Sequence, residues 1–149
     1  TIKVILDNYP LNSIMDLSGG KIWDKKWIKI NGRTLSLNDI EHNILRRDFS
    51  DARIHFAVNC AAASCPPLWN RAWTAENLET ALERRTTTFI NDNGYNQISE
   101  SSVSVSKIFD WYKEDFGNLI RYLNQYTELD ILPDASIQFN EYDWTLNKQ

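Results

Sequence analysis

The chain is poor in cysteine and histidine, two residues that enzymes often use as nucleophiles, bases or metal ligands. Its 149 residues include only two cysteines and two histidines: Cys60, Cys65, His42 and His55. Two cysteines are too few for the disulfide scaffold of a small secreted domain. Any cysteine or histidine mechanism must therefore draw on these four side chains.

Long apolar runs and basic stripes are also absent. The longest apolar runs are only a few residues long, whereas a membrane-spanning helix needs about 20. With 20 acidic and 16 basic residues the net charge is −4, which makes a phosphate backbone a poor partner. The sequence therefore predicts neither a transmembrane segment nor nucleic-acid binding.

The composition does provide for a folded core. Apolar residues make up 42% of the chain and charged residues 24%, which is typical of a globular domain. Six Trp, six Tyr and six Phe predict a core rich in aromatic rings. A chain of this length is long enough for one core and too short to expect two, so we predict that residues 1–149 form a single domain.

The chain begins inside a predicted helix. Ile2, Ile5 and Leu6 recur at helical spacing, and no Met precedes Thr1. We therefore expect the natural protein to extend upstream. A signal sequence in that extension would direct it to the periplasm or outside the cell, so the compartment stays open, as does the oligomeric state.

Local patterns predict a β-hairpin followed by a capped helix. Asn31-Gly32 lies between the segments 26–30 and 33–35, and Asn-Gly readily adopts the positive φ angles of a two-residue turn. Ser36 with Asp39 three residues later resembles a capping box that opens a helix.

The rest of the chain alternates between short helical and short extended patterns. Further helices are predicted from Thr74 to Asn93-Gly94, over 107–116 and over 118–126. Further strands are predicted over 53–59, 101–106 and 136–142. Because helices and strands do not alternate as regular βαβ units, the predicted class is α+β.

One segment, RIHFAVNCAAASCPPLW over residues 53–69, holds both cysteines and His55. Its thiols are open to four interpretations: inert buried side chains, a disulfide, a zinc site shared with the two histidines, or an enzyme nucleophile. The two cysteines are separated by four residues and form no Cys-x-x-Cys pair, so the zinc signal is weak and we predict no metal site. Cys60 follows the predicted strand, and the prolines after Cys65 suit a helix start, so either thiol remains a candidate nucleophile.

The sequence also leaves open which histidine would act as the general base for such a nucleophile. In an extended strand His55 and Cys60 would be about 15 Å apart, at about 3.3 Å per residue, which is too far for a hydrogen bond. A pair between them requires the chain to bend after Asn59. Otherwise His42, from the preceding helix, would serve as the base.

Glu41 lies beside His42 on that predicted helix. The apolar face of the helix comprises Leu37, Ile40, Ile44 and Leu45. At about 100° per residue, Glu41 falls near the middle of this face and His42 toward its edge. A carboxylate there needs partners, so Glu41 either orients a histidine or forms structural bonds to backbone amides or an arginine.

Four motifs together resemble a known family, that of the domain of unknown function 547 (DUF547): SLNDIEHNILR, DARIHFAVNCAAASCPPL, TAENLETALERRTTTFI and SKIFDWYKEDF. The resemblance runs through nearly the whole chain. Bacterial relatives have a segment before the point where this chain begins, so we expect the N-terminal part of the family's domain to be missing here. The family in turn resembles permuted papain-like and transglutaminase-like cysteine enzymes. That similarity implies helices packed around a small, mostly antiparallel sheet.

Site roles follow from the resemblance by position. It implies Cys60 as nucleophile, His55 as general base and Glu41 as orienting acid, with His42 as the alternative base. Cys65 falls where plant relatives tend to carry Ser, which disfavours it as the nucleophile. The resemblance therefore favours Cys60 over Cys65 as the nucleophile.

The implied activity is a cysteine-dependent hydrolase or acyl transferase that needs no cofactor. Its substrate would be peptide-like or a small thiol-containing molecule. Asn59, or a backbone N–H near Cys60, would stabilise the oxyanion. The expected substrate-binding residues are Asn59, Ser64, Cys65 and Trp69.

The alternative function is a binding module that keeps an enzyme-like cleft without turnover. Such a module would bind a peptide or small ligand against an aromatic wall. The candidate wall residues are Trp69, Trp73 and Trp111.

Overall fold

The computed structural model describes residues 1–147, and these form two compact units. The first comprises residues 1–54 and 59–65 with the segment that begins at Asp143, and the second comprises residues 55–58 and 66–142. Both units contain helices and short strands, which confirms the predicted α+β class. The single domain over residues 1–149 stays a prediction.

The first unit opens with helix α1, Ile2–Asn8, which confirms the predicted opening helix. Two 3-10 segments follow, Ile14–Gly20 and Ile22–Asp24, and the first is interrupted by non-helical backbone at residues 17–19. Val4, Ile14 and Ile22 are buried together, and partly buried side chains pack against them: Ile5, Leu17, Trp23, Trp27 and Leu37. This small core supports the hairpin and helix that come next in the chain.

The predicted hairpin is present as β1, Ile28–Ile30, and β2, Arg33–Leu35. The two strands are antiparallel, with Ile30 opposite Arg33. The turn residues Asn31 and Gly32 have φ angles of 48° and 75°. Both angles lie in the left-handed region that Asn-Gly tolerates, so the turn residues set the register of the hairpin.

The helix after the hairpin changes its winding part-way along. It runs through α2, Leu37–Ile40, a π-helical turn, Glu41–Arg46, and α3, Arg47–Phe49. The predicted capping box is present, since Asp39 N–H donates to Ser36 Oγ at 2.9 Å and Ser36 N–H donates to Asp39 Oδ2 at 3.0 Å. Because a π-helical turn has i→i+5 hydrogen bonds, a wheel of 100° per residue does not hold between Glu41 and Arg46.

The second unit contains four helices among the described residues: α4, Leu78–Ile90; α5, Ile108–Trp111; α6, Lys113–Phe116; and α7, Leu119–Leu123. Helix α4 begins at Leu78, later than predicted, and residues 75–77 form a turn in which the Thr74 carbonyl accepts the Asn77 N–H. The helix ends at Ile90, before the predicted stop at Asn93-Gly94.

The sheet of the second unit is mixed. It consists of β3, Gln97–Ile98; β4, Ser102–Val105; and β5, Ser136–Phe139. Strand β4 lies in the middle, antiparallel to β3 and parallel to β5. The strands predicted over 101–106 and 136–142 are therefore confirmed, with tighter bounds.

Phenylalanine rings form the centre of the second unit. Phe56 is fully buried, and its ring centroid lies 5.1 Å from that of Phe89 and 5.9 Å from those of Phe109 and Phe116. These separations are in the range of favourable tilted aromatic pairs. The core is rich in aromatic rings, as the composition predicted.

The strand predicted over residues 53–59 is wrong. Residues Ala52–Phe56 form a 3-10 turn instead, and Ile54, His55 and Phe56 are buried consecutively rather than alternately. Asp51 competes with strand formation, because its carboxylate accepts the Arg53 N–H at 2.9 Å and its carbonyl accepts the Ile54 N–H. The separation of about 15 Å between His55 and Cys60, which assumed an extended strand, therefore does not apply.

The Asp51–Arg53 pair makes this turn sensitive to acid. Arg53 Nη2 lies 2.7 Å from Asp51 Oδ2, and hydrogen bonding from Arg53 lowers the pKa of Asp51. A carboxyl group with a lowered pKa in the folded state stabilises the fold above its unfolded pKa of about 3.9, and this contribution is lost as pH falls through the folded pKa.

We expect Asp51→Asn to lower the free energy of unfolding at pH 7 by roughly 0.2–1 kcal/mol, the range for partly exposed pairs. Urea unfolding at a series of pH values would show the deficit shrinking below about pH 4. Asp134→Asn, which removes an exposed carboxylate, serves as the control. A deficit that stays constant from pH 7 to about pH 3 would contradict this account.

Candidate functional site

The second unit contains a buried histidine–carboxylate pair. His55 lies in the 3-10 turn Ala52–Phe56, and its Nε2 is 2.7 Å from Asp115 Oδ2 on α6. The His55 side chain is 1% exposed and that of Asp115 24%. The acid that contacts His55 here is therefore Asp115, which the sequence analysis did not single out.

Three side chains from one stretch of chain hold this imidazole. Tyr112 stacks on it with ring centroids 3.9 Å apart and planes inclined by 23°, and the ring of Phe116 lies at 5.5 Å. Asp115 and Phe116 lie on α6, and Tyr112 directly precedes that helix as its N-cap residue. The ring is thus fixed on its face by stacking and at one nitrogen by a carboxylate.

The contact with Asp115 also determines the tautomer of the neutral imidazole. An ionised carboxylate only accepts hydrogen bonds, so Nε2 must carry the proton that it donates. In the neutral ring the other nitrogen, Nδ1, then has the basic lone pair. If His55 acts as a base, Nδ1 is the atom that takes the proton.

The two cysteines lie together in a loop of the first unit. Cys60 N–H donates to Cys65 Sγ at 3.0 Å, and the two residues are not joined by a disulfide. Cys65 is 4% exposed, whereas Cys60 is only partly buried. Cys60 is therefore the more accessible thiol, and Cys65 contributes its sulfur as an acceptor that fixes the loop.

Backbone contacts bend the chain sharply at Cys60. Ala61 has a φ angle of 69°, in the left-handed region that non-glycine residues rarely occupy. Asn59 Oδ1 accepts the Ala61 N–H at 2.9 Å, so an oxyanion role for Asn59 would use its Nδ2 amide. Non-glycine residues in this conformation are strained and occur preferentially at functional sites.

The C-terminal segment braces the same loop. Ser64 Oγ accepts the Asp143 N–H at 2.9 Å, and Ser64 N–H donates to the Asp143 carbonyl at 3.2 Å. Further along, Ala62 forms an antiparallel bridge with Leu146. Both the side chain and the backbone N–H of Ser64 are therefore hydrogen-bonded to the backbone of Asp143. Its predicted contact with substrate stays a prediction.

Glu41 and His42 lie in the π-helical turn of the first unit. Both are partly buried, and His42 Nδ1 is 3.2 Å from Arg46 Nη1. Because a guanidinium only donates, His42 Nδ1 accepts this bond, and in the neutral ring Nε2 carries the proton. This arrangement occupies the basic nitrogen of His42 and favours His55 as the general base.

Of the three predicted wall residues, the structure brings two together. Trp69 and Trp73 pack edge to face with ring centroids 4.6 Å apart. Trp111 is 45% exposed and packs on Tyr142 at 4.7 Å. The Trp69–Trp73 pair, in the loop before α4, therefore forms an aromatic surface suited to ligand contact.

Residues 1–90 match the family model described as "Protein of unknown function, DUF547". The chain belongs to the DUF547 family. No curated protein and no solved structure matches it. The matched span of this DUF547 chain includes Glu41, His55 and Cys60, whereas Asp115 lies beyond it.

The described residues of this DUF547 chain contain neither a metal-binding cluster nor a membrane-spanning helix. Within residues 1–147, no group of three or more His, Cys, Asp and Glu side chains is arranged to hold a metal ion. None of the helices in the same span has both the length and the apolar composition needed to cross a bilayer.

Proposed function

We propose that this chain is a cysteine-dependent hydrolase or acyl transferase acting on a peptide-like or small thiol-containing substrate. Cys60 is the nucleophile, His55 is the general base, and Asp115 orients His55. The observation that carries the proposal is the buried contact of 2.7 Å between His55 and Asp115.

The His55–Asp115 pair has the geometry expected when a histidine that acts as a base must keep one tautomer. Burying an imidazole against a carboxylate is costly unless the two groups hydrogen-bond, and such pairs cluster at functional sites. The stacked Tyr112 ring, with its centroid 3.9 Å away, also limits rotation of the imidazole. We assign the orienting role to Asp115 because its contact is direct, and Glu41 remains a prediction as a further acidic group.

The proposed reaction follows the chemistry of a thiol and an imidazole. His55 Nδ1 takes the proton from Cys60 Sγ, and the thiolate attacks the substrate carbonyl to form a C–S bond. The imidazolium then protonates the leaving amine or thiol as its bond to carbon breaks. Water, or a second amine or thiol, attacks the thioester, gives its proton to His55 and restores the Cys60 thiol.

Alkylation of the two cysteines tests this proposal directly. We expect iodoacetamide at pH 7 to label Cys60, with little labelling of the buried Cys65, when the sites are mapped by mass spectrometry. His55→Gln should slow the labelling of Cys60 by at least about tenfold, since general bases contribute factors of about 10²–10⁴.

His42→Gln provides the matched control, because it removes the other imidazole and should leave the rate unchanged. A slower rate in His42→Gln alone would overturn the choice of base. Equal rates in all three proteins would overturn the coupling of His55 to Cys60, and with it the proposed function.

The second candidate function is a binding module without turnover. The Trp69–Trp73 pair supports it, because partly exposed aromatic rings in edge-to-face contact form a rigid apolar surface. A peptide that binds equally well to wild type and Cys60→Ser, while no acyl substrate is turned over, would favour this module over the enzyme.

A further inference from the structure

A cavity of about 370 Å³ lies within the second unit, beside helix α4. Its volume is in the range of small-molecule sites, roughly 300–1,000 Å³. The cavity is distinct from the His55–Asp115 pair, since neither residue lines it. Nothing in the proposed mechanism uses it.

The floor of the cavity is apolar and well buried. It is formed by Phe56, Pro66 and Phe89, each of which is at most 3% exposed. Tyr95 extends this wall, with its ring centroid 4.7 Å from that of Phe89. Such a floor suits the apolar or aromatic body of a ligand.

The rim of the cavity carries a cation and a hydroxyl group. Arg84 and Thr88 both line the cavity and are exposed, and their i, i+4 spacing puts them on one face of α4. Within the part of the chain that the structure describes, the Arg84 guanidinium makes no ion pair. A guanidinium beside a hydroxyl group is suited to a planar carboxylate, which it binds with two parallel hydrogen bonds.

Neighbouring groups keep the cavity in shape. Arg85 donates from Nε to the Phe56 carbonyl at 3.0 Å and from Nη2 to the Pro67 carbonyl, which joins α4 to both chain segments of the floor. The only acidic residue among those that line the cavity in the described chain is Asp92, whose Oδ1 accepts the Gly94 N–H at 2.8 Å. That contact holds Asp92 in the turn that follows α4.

The floor is also continuous along the chain with His55 and with the end of the cysteine loop. Phe56 directly follows His55, and Pro66 directly follows Cys65. Binding in the cavity would therefore act on backbone that is one peptide bond from each of these residues. This continuity is what we would expect of a site that recognises the substrate of the proposed reaction.

We propose that this cavity binds a carboxylate attached to an apolar or aromatic body, with the carboxylate on Arg84 and Thr88 and the body on the phenylalanine floor. Its role as a substrate site rests on the proposed function, whereas the binding itself does not. The same chemistry is offered by a small aromatic acid and by the C-terminus of a peptide that ends in an aromatic residue.

Calorimetric titration with N-acetylphenylalanine and its neutral amide tests the inference in wild type and in Cys60→Ser. We expect the acid to bind at least about tenfold more tightly than the amide in both proteins, because only the acid can form the charge-assisted bonds. Arg84→Gln should reduce the affinity for the acid to that for the amide and leave the amide unchanged. Arg121→Gln, which removes another exposed arginine of the same unit, is the matched control.

The tripeptide Ala-Ala-Phe separates the two sources of carboxylate. Tighter binding of the tripeptide than of N-acetylphenylalanine identifies a peptide C-terminus, and weaker binding identifies a small acid. Equal affinities for acid and amide, no binding of either, or an Arg84→Gln variant that folds and binds the acid normally would overturn the inference. Because the titration also uses Cys60→Ser, failure of the proposed catalysis would leave this result intact.

Discussion

Replacing Phe56 by alanine is expected to lower the free energy of unfolding by about 3–5 kcal/mol. Phe56 is fully buried, and its ring contacts those of Phe89, Phe109 and Phe116. The substitution removes the transfer free energy of the ring, leaves a cavity, and breaks aromatic contacts worth roughly 0.5–1.5 kcal/mol each. Chemical unfolding of both proteins in urea would measure the difference.

Phe49→Ala is the matched control for this substitution. Phe49 is 67% exposed, so the same chemical change should alter the free energy of unfolding by no more than about 0.5 kcal/mol. If the two variants lost similar amounts of stability, Phe56 would not be the centre of an aromatic core as the structure shows it.

Replacing Asp115 by asparagine is expected to reduce the rate of acylation of Cys60 by a factor of about 10²–10⁴, the range for a general base that loses its function. The reason lies in the tautomer of His55. An asparagine at position 115 can donate its amide N–H to Nε2, which would place the imidazole proton on Nδ1, the nitrogen that must accept the thiol proton. The rate of p-nitrophenol release from p-nitrophenyl acetate would measure the effect.

A comparison of two variants separates this role from a structural one. Asp115→Ala removes the orienting contact without forcing the wrong tautomer, so it should retain more activity than Asp115→Asn. Asp110→Asn removes a neighbouring carboxylate that pairs with Lys107 at 2.8 Å, and it should leave the rate unchanged. If Asp115→Asn were as active as wild type, Asp115 would have no part in positioning the base.

Local signals in the sequence were sufficient for several elements of the fold. The Asn31-Gly32 turn and the Ser36–Asp39 capping box were both predictable, because each depends on a few adjacent residues whose conformational preferences are strong. The segment 53–59 was not predictable in the same way. Its alternating apolar residues suggested a strand, but the contacts made by Asp51 favour a 3-10 turn.

For the candidate site, the sequence could identify reactive side chains but not their partners. His55 and Asp115 are 60 positions apart, and only the fold brings them to 2.7 Å. The spacing of Tyr112, Asp115 and Phe116 was a usable signal, since it places a carboxylate and two aromatic rings on one face of the helix predicted over 107–116. In the structure that helix is interrupted at Tyr112. The sequence does not show that the His55 imidazole packs against these residues. Without that contact, the pattern is equally typical of an ordinary amphipathic helix.

The site of acylation tests the central claim most directly. Wild type, Cys60→Ser and His55→Gln would be treated briefly with p-nitrophenyl acetate at pH 7, quenched in acid and mapped by mass spectrometry. Our account predicts an acetyl thioester on Cys60 of the wild type, none at that position in Cys60→Ser, and a strongly reduced amount in His55→Gln. Acetyl groups found only on lysines, in equal amounts in all three proteins, would contradict it.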